Sequence, residues 1–208
     1  MSGFRFLVKG SIAVLALGAC LALLAACGDG AKPPAKTPPS DGETPPAGQT
    51  PTGDGGDFRL SSEAFGPDEQ IPVIHTCDGH NTSPPLAWDG APEGTNAFAL
   101  IMDDPDAPGG TFTHWVLFDL PAGSRTLTAG VETSERPPVG GVQGGNDADG
   151  IGYTGPCPPP GDLHGYRFTL YALDVPVNLD PGAKKQEVLD TMDGHILAEA
   201  ELVGTYGR

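Results

Sequence analysis

From Phe58 to the C-terminus, short apolar runs alternate with glycine, proline and aspartate. That punctuation denies the chain long helices and favours short strands joined by turns. The 31 Gly and 23 Pro among 208 residues supply the breakers. Strands are expected at 58–60, 97–103, 113–120, 166–174 and 200–206, with shorter ones near 70–74 and 84–88. Such spacing reads as a mainly β sandwich. One stretch, 184–198, reads as a helix after Pro181-Gly182, because Val188, Leu189, Met192 and Ile196 give a partial 3.6-residue period. Residues 139–152 are Gly- and Asp-rich and read as a loop. No internal repeat is visible.

The N-terminus is a different kind of sequence. Arg5 and Lys9 precede a largely apolar stretch from Ser11 to Leu24, and Leu24-Ala25-Ala26-Cys27 follows as a lipobox. Residues 1–26 therefore read as a lipoprotein signal peptide, and Cys27 as the lipidation site. Two or three acyl chains on Cys27 would hold the protein to a membrane. Residues 27–57 contain no aromatic or large aliphatic side chain. They cannot bury enough surface to fold and read as a disordered, partly stiff tether with paired prolines. The expected location is the bacterial cell envelope, lipid-anchored and facing the periplasm or the exterior. The folded domain is expected over 58–208.

Cleavage removes two basic residues and no acidic one, so the net charge goes from −16 to −18. That disfavours nucleic acid as a partner. Of the four cysteines, Cys20 leaves with the signal and Cys27 takes lipid, so Cys77 and Cys157 remain. In an oxidising compartment they can form a disulfide, and two separate buried thiols are the alternative.

Three segments place polar side chains in phase with apolar strand faces. Asp104 shares parity with Phe98, Leu100 and Met102. His114 shares it with Val116, Phe118 and Leu120, and His164 with Tyr166, Phe168 and Leu170. Equal parity in a strand means one face. A carboxylate, two imidazoles and a phenol at strand mouths suit a small anionic or zwitterionic group. Pro156, Pro158, Pro159 and Pro160 would pre-shape the loop beside them. His75, Cys77 and His80 have metal-like spacing, but no fourth ligand follows, so no metal is expected. His195, in the expected helix, reads as structural. No nucleophile elbow, Walker loop or dinucleotide fingerprint appears, so no catalytic residue and no cofactor are expected.

These residues carry a family resemblance. Asp104-Pro-Asp-Ala-Pro108, His114-Trp115, Gly155-Pro-Cys-Pro-Pro159 and His164-Gly-Tyr166 resemble the ligand-site motifs of the phosphatidylethanolamine-binding proteins, in particular the bacterial Raf kinase inhibitor-like branch. Thr76-Cys-Asp-Gly79, Ser83-Pro-Pro-Leu-Ala-Trp88, Tyr171-Ala-Leu-Asp174 and Gly204-Thr-Tyr-Gly-Arg208 extend the match from about Phe58 to the end. The resemblance implies a larger sheet packed on a smaller one, with one or two short helices. It implies a ligand site drawn from Asp104, Asp106, Pro108, His114, Cys157, Pro158, Pro159, His164 and Tyr166. It also implies non-catalytic binding of a small anionic or phosphorylated ligand, such as a phospholipid head group. An interaction module that inhibits a peptidase or other enzyme ranks second, and a hydrolase third. A homodimer and an unnamed protein target are left open. Gly165 stands where the family often has arginine, which removes a cation beside the site.

Overall fold

The computed structural model describes residues 57–208. The expected signal peptide, Cys27 and nearly all of the tether lie outside the described residues.

Two antiparallel sheets face each other. The smaller has the order β1-β2-β5, with β1 at Arg59–Ser61, β2 at Leu86–Asp89 and β5 at Thr126–Leu127. The larger has the order β6-β4-β3-β7-β8. Its strands are β3 (Ala97–Asp104), β4 (Phe112–Pro121), β6 (Val142–Gln143), β7 (Leu163–Leu173) and β8 (Ile196–Gly207). The expected mainly β sandwich of unequal sheets is what forms.

Alternation along β3 sorts its side chains between two cores. Phe98, Leu100 and Met102 face the smaller sheet and meet Leu60, Leu86 and Trp88. Ala99 and Ile101 face the other way, toward Val188 and Met192 of α1 (Lys185–Met192). Phe98, Leu100, Met102, Phe168 and Leu170 have no exposed surface. Each contributes about 1.5–3 kcal/mol of transfer free energy on this count.

Four details depart from the sequence reading. The helix stops at Met192, because Gly194 adopts φ +77°, the left-handed stop that glycine tolerates. Ile196 and Ala198 therefore belong to β8. His195 lies in the intervening turn, where its Nδ1 meets Asp174 Oδ1 at 2.9 Å. The run 70–74 is no strand. Pro72 has no N–H to give a ladder, and Val73–His75 coils into a 3-10 turn. Gln70 alone bridges to Thr205. Within the expected loop 139–152, Val142–Gln143 pairs with Leu117 and Phe118 of β4. Buried Gln143 fixes that pairing by accepting from Trp115 Nε1 at 2.8 Å and donating to the Glu132 carbonyl at 2.9 Å.

The fourth departure lies in β4. Its register against β3 slips between Phe98/Leu100 and between Met102/Asp103, where β4 spends one extra residue each time. Asp119, at φ +57°, sits in the first bulge and His114 in the second. Each bulge reverses the side-chain alternation. Val116 and Phe118 consequently enter the outer core, whereas Trp115, Leu117 and Leu120 enter the sandwich. The expected phase of His114 with Val116 and Phe118 is thus incorrect. The bulge itself swings His114 to the sandwich side, where its ring stands 5.3 Å from that of Tyr166.

Candidate functional site

A cavity of about 310 Å³ opens where β3 ends and β4 and β7 begin. Asp104 closes β3, and the chain turns at Pro105. Asp104 Oδ1 caps that turn by accepting from the Asp106 N–H at 2.9 Å. Its Oδ2 meets His164 Nδ1 at 2.7 Å. An ionised carboxylate only accepts, so Nδ1 of His164 carries the proton and Nε2 is left for the cavity.

His114 is held in the same sense from the other side. Its Nδ1 donates to the Thr154 carbonyl at 2.8 Å. Phe112 lies against its ring at 4.8 Å between centroids. Burial lowers its pKa from 6.5, offset in part by the Thr154 hydrogen bond and by the nearby carboxylates of Asp104, Asp103 and Asp147. At neutral pH its Nε2 is therefore an acceptor. On protonation it becomes a charged donor.

Tyr166 supports both histidines from below. It has no exposed surface, and its ring lies 6.4 Å from that of His164 at an interplanar angle of 26°. Its sealed hydroxyl lies beside the Asp104 carboxylate without a completed hydrogen bond. Burial, and then the Asp104 charge, push its ionisation well above the usual phenol range. It forms the floor and does not line the open cavity.

The walls come from two loops. Ala107 and Pro108 form one side, and Gly155, Cys157, Pro158 and Pro159 the other, with Thr154 and Ala148 between. Prolines offer no N–H, so this wall is stiff and poor in donors. Asp106 does not line the cavity. Its Oδ2 accepts from the Gly165 N–H at 2.8 Å and ties the turn after β3 to β7. Among the described residues, no lysine or arginine lines the cavity.

A disulfide joins Cys77 to Cys157, with Cα atoms 5.4 Å apart and a sequence separation of 80. In the chain-entropy account a loop of that length is stabilised by about 4 kcal/mol. Cys77 is thus engaged in the bridge, and His75 Nδ1 is engaged with the Thr82 carbonyl at 2.8 Å. Asn81 Oδ1 accepts from the Gly155 N–H at 2.6 Å and pins the start of the proline loop. At its far side Arg208 reaches back: Nη1 lies 3.5 Å from Cys157 Sγ and 3.4 Å from the Pro158 carbonyl, and Nε lies 3.1 Å from Asp78 Oδ2.

Sequence reasoning did not single out Phe112, Ala148, Thr154, Asn81 or Arg208 for the site. Phe112 stands two residues before His114, and the strand period alone could have suggested it. The others come from loops and the terminus, whose positions depend on the completed fold.

The described residues thus form a two-sheet sandwich with a histidine- and carboxylate-bearing cavity at one end, walled by prolines. The family model described as phosphatidylethanolamine-binding protein matches residues 61–207. The chain belongs to the phosphatidylethanolamine-binding protein family. It is 52% identical over 151 residues to a UPF0098 protein of Methanothermobacter thermautotrophicus, covering 73% of this chain and 99% of the relative. It is 36% identical over 196 residues to a Mycobacterium tuberculosis chain named as lipoprotein LppC, covering 90% of this chain and 92% of the relative. Among solved structures, a Chlamydia trachomatis homologue of the family superposes with a TM-score of 0.67 at 38% identity, covering 73% of this chain and 97% of the other. Escherichia coli YbcL superposes at 0.68 with 34% identity, covering 74% and 99%.

Proposed function

We propose that this domain binds a small anionic or phosphorylated ligand, head group-like in size, without transforming it. One observation carries the reading. Both histidines spend Nδ1 on fixed protein acceptors and leave Nε2 beside the same cavity. Protonation at Nε2 turns the two pre-oriented imidazoles into a clamp of charged donors for oxygen atoms. With no lysine or arginine among the described residues of the lining, affinity is modest and sensitive to pH. Hydrolysis finds less support, since the sulfur of Cys157 is held in a disulfide and is no free thiolate.

The N-terminal sequence extends the proposal to place. Cys27 anchors the domain to a membrane, and the domain works on the outer side of that membrane. The similarity to LppC supports this, because it continues beyond the folded domain to 90% of the chain.

Titration calorimetry tests the binding reading, with phosphorylethanolamine and inorganic phosphate at pH 5.5 and 7.5. Binding should be tighter at the lower pH, and His114→Ala and His164→Ala should each weaken it. Equal binding by both variants and the parent rejects the site.

A further inference from the structure

We infer that the Cys77–Cys157 disulfide is a redox gate on the cavity. The inference rests on the binding reading above. The bridge has three properties that suit it to the task. It is on the site, because Cys157 lines the cavity between Gly155 and Pro158. It is accessible, because both cysteines are exposed. It also crosses between segments that no strand pairing joins. Cys77 follows the 3-10 turn, and Cys157 lies in the proline loop before β7.

The other ties among the described residues sit at the two ends of that wall, and at its far end Gly161 N–H donates to the Arg208 carbonyl at 2.7 Å and Asp162 N–H to the Pro159 carbonyl at 3.1 Å. The Cys77 N–H donates to the Pro156 carbonyl at 3.1 Å, and Gly155 N–H to Asn81. Beyond Cys157, Pro158, Pro159 and Pro160 have no N–H to give. Among the described residues, the Pro158 carbonyl has only the 3.4 Å approach of Arg208. Opening the bridge therefore frees the wall, while the sheets keep their own hydrogen bonds and core.

The chemistry is a thiol–disulfide exchange with a dithiol reductant. Its thiolate attacks one sulfur, the S–S bond breaks, and the other sulfur leaves as a thiolate. The second thiol of the reductant then displaces the first cysteine, so two electrons and two protons pass to the protein and the reductant becomes a disulfide. Arg208 sets the direction. Its guanidinium beside Cys157 Sγ favours negative charge there, so Cys157 is the leaving group and Cys77 is attacked. Linkage makes the gate reciprocal. If reduction weakens a ligand by some factor, the ligand shifts the reduction equilibrium by the same factor.

The test compares oxidised protein with protein reduced by dithiothreitol, using phosphorylethanolamine as the probe. Affinity should fall at least tenfold on reduction, and Cys77→Ser should reproduce the fall. Amide hydrogen exchange should accelerate at Gly155, Cys157, Gly161 and Leu163 but not in β3 or β7 beyond Tyr166. Arg208→Gln should slow reduction by dithiothreitol. Equal affinity in the two redox states overturns the gate while leaving the binding reading intact. If the probe binds neither form, the binding reading fails, and exchange still decides the gate: unchanged protection in 155–163 overturns it. Reduction that unfolds the sheets altogether, seen as a red shift of the emission of buried Trp88 and Trp115, overturns it as well.

Discussion

Asp104 Oδ2 accepts a 2.7 Å hydrogen bond from Nδ1 of His164, sixty residues further on, with both side chains about 95% enclosed. The pair joins the end of β3 to the start of β7, and it fixes which nitrogen of His164 is free. Asp104 also caps its own turn, so one carboxylate serves two donors. Asp104→Leu should leave both donors without an acceptor and cost about 1–3 kcal/mol. Asp104→Asn keeps one acceptor oxygen of the same shape and should cost less than half as much. Urea melts of both variants check this. Equal losses would mean that packing, not acceptor chemistry, sets the cost.

His114 should make stability depend on pH. Burial is the largest influence on it and holds its folded pKa below 6.5. Between that folded value and 6.5 the unfolded chain binds more protons, so stability rises with pH. The contribution is fully present above 6.5 and is lost as pH falls through the folded pKa. His114→Gln retains an N–H for the Thr154 carbonyl and cannot titrate. Its stability should therefore decline less than the parent's as pH falls from 7 to 4.5. The measurement is urea unfolding of both proteins at several pH values. Parallel curves would show that His114 does not carry the effect.

Much of this fold could be read from alternation, and the places where it could not share a cause. Asp104 and His164 end strands that run without a bulge on their way into the core, so counting by twos from Phe98 and from Leu170 placed them correctly. β4 looks equally regular in sequence. Nothing in Thr113-His-Trp-Val-Leu-Phe-Asp-Leu120 announces two extra residues, although Asp119 is a residue that accepts positive φ. The sequence reading brought His114 to the cavity of Asp104 and His164 by the wrong geometry. The helix was overextended because Ile196 suits a helical period and a strand equally, and Gly194 had to decide between them. β6 is two residues long and is held by the side chain of Gln143, which no periodicity reports. The cavity walls were legible as proline chemistry, whereas their fastening to Asn81 and Arg208 follows only from the folded chain.

Gly155 tests how closely the proline loop is seated. A Cβ there would lie 2.4 Å from the His75 carbonyl oxygen and 2.7 Å from Asn81 Oδ1. Both are fixed partners, one of them also receiving the Tyr153 hydroxyl at 2.6 Å. Gly155→Ala should therefore push the loop outward, break the bond to Asn81 and cost about 1–3 kcal/mol. At roughly 2–4 °C per kcal/mol for a domain of this size, the melting temperature should fall by several degrees. Gly109→Ala is the control, since a Cβ there meets nothing within 4 Å. A melting temperature for Gly155→Ala equal to that of Gly109→Ala would mean that the loop yields freely.

The proposed anchor at Cys27 lies outside the described residues and rests on Leu24-Ala25-Ala26-Cys27. Acyl chains contribute about 0.8 kcal/mol per buried CH₂, so two or three of them hold a protein firmly to a bilayer. Cleavage before Cys27 would leave a chain of net charge −18, which anionic lipid repels, so charge would offer no competing attachment. Cys27→Ser should thus move the protein from the membrane fraction to the soluble fraction or stall it as an unprocessed precursor. Its release should not depend on salt. Fractionation with a carbonate wash, read with the size of the protein on a gel, decides the matter. A variant that still sediments with membranes at the mature size would show that Cys27 is not the anchor.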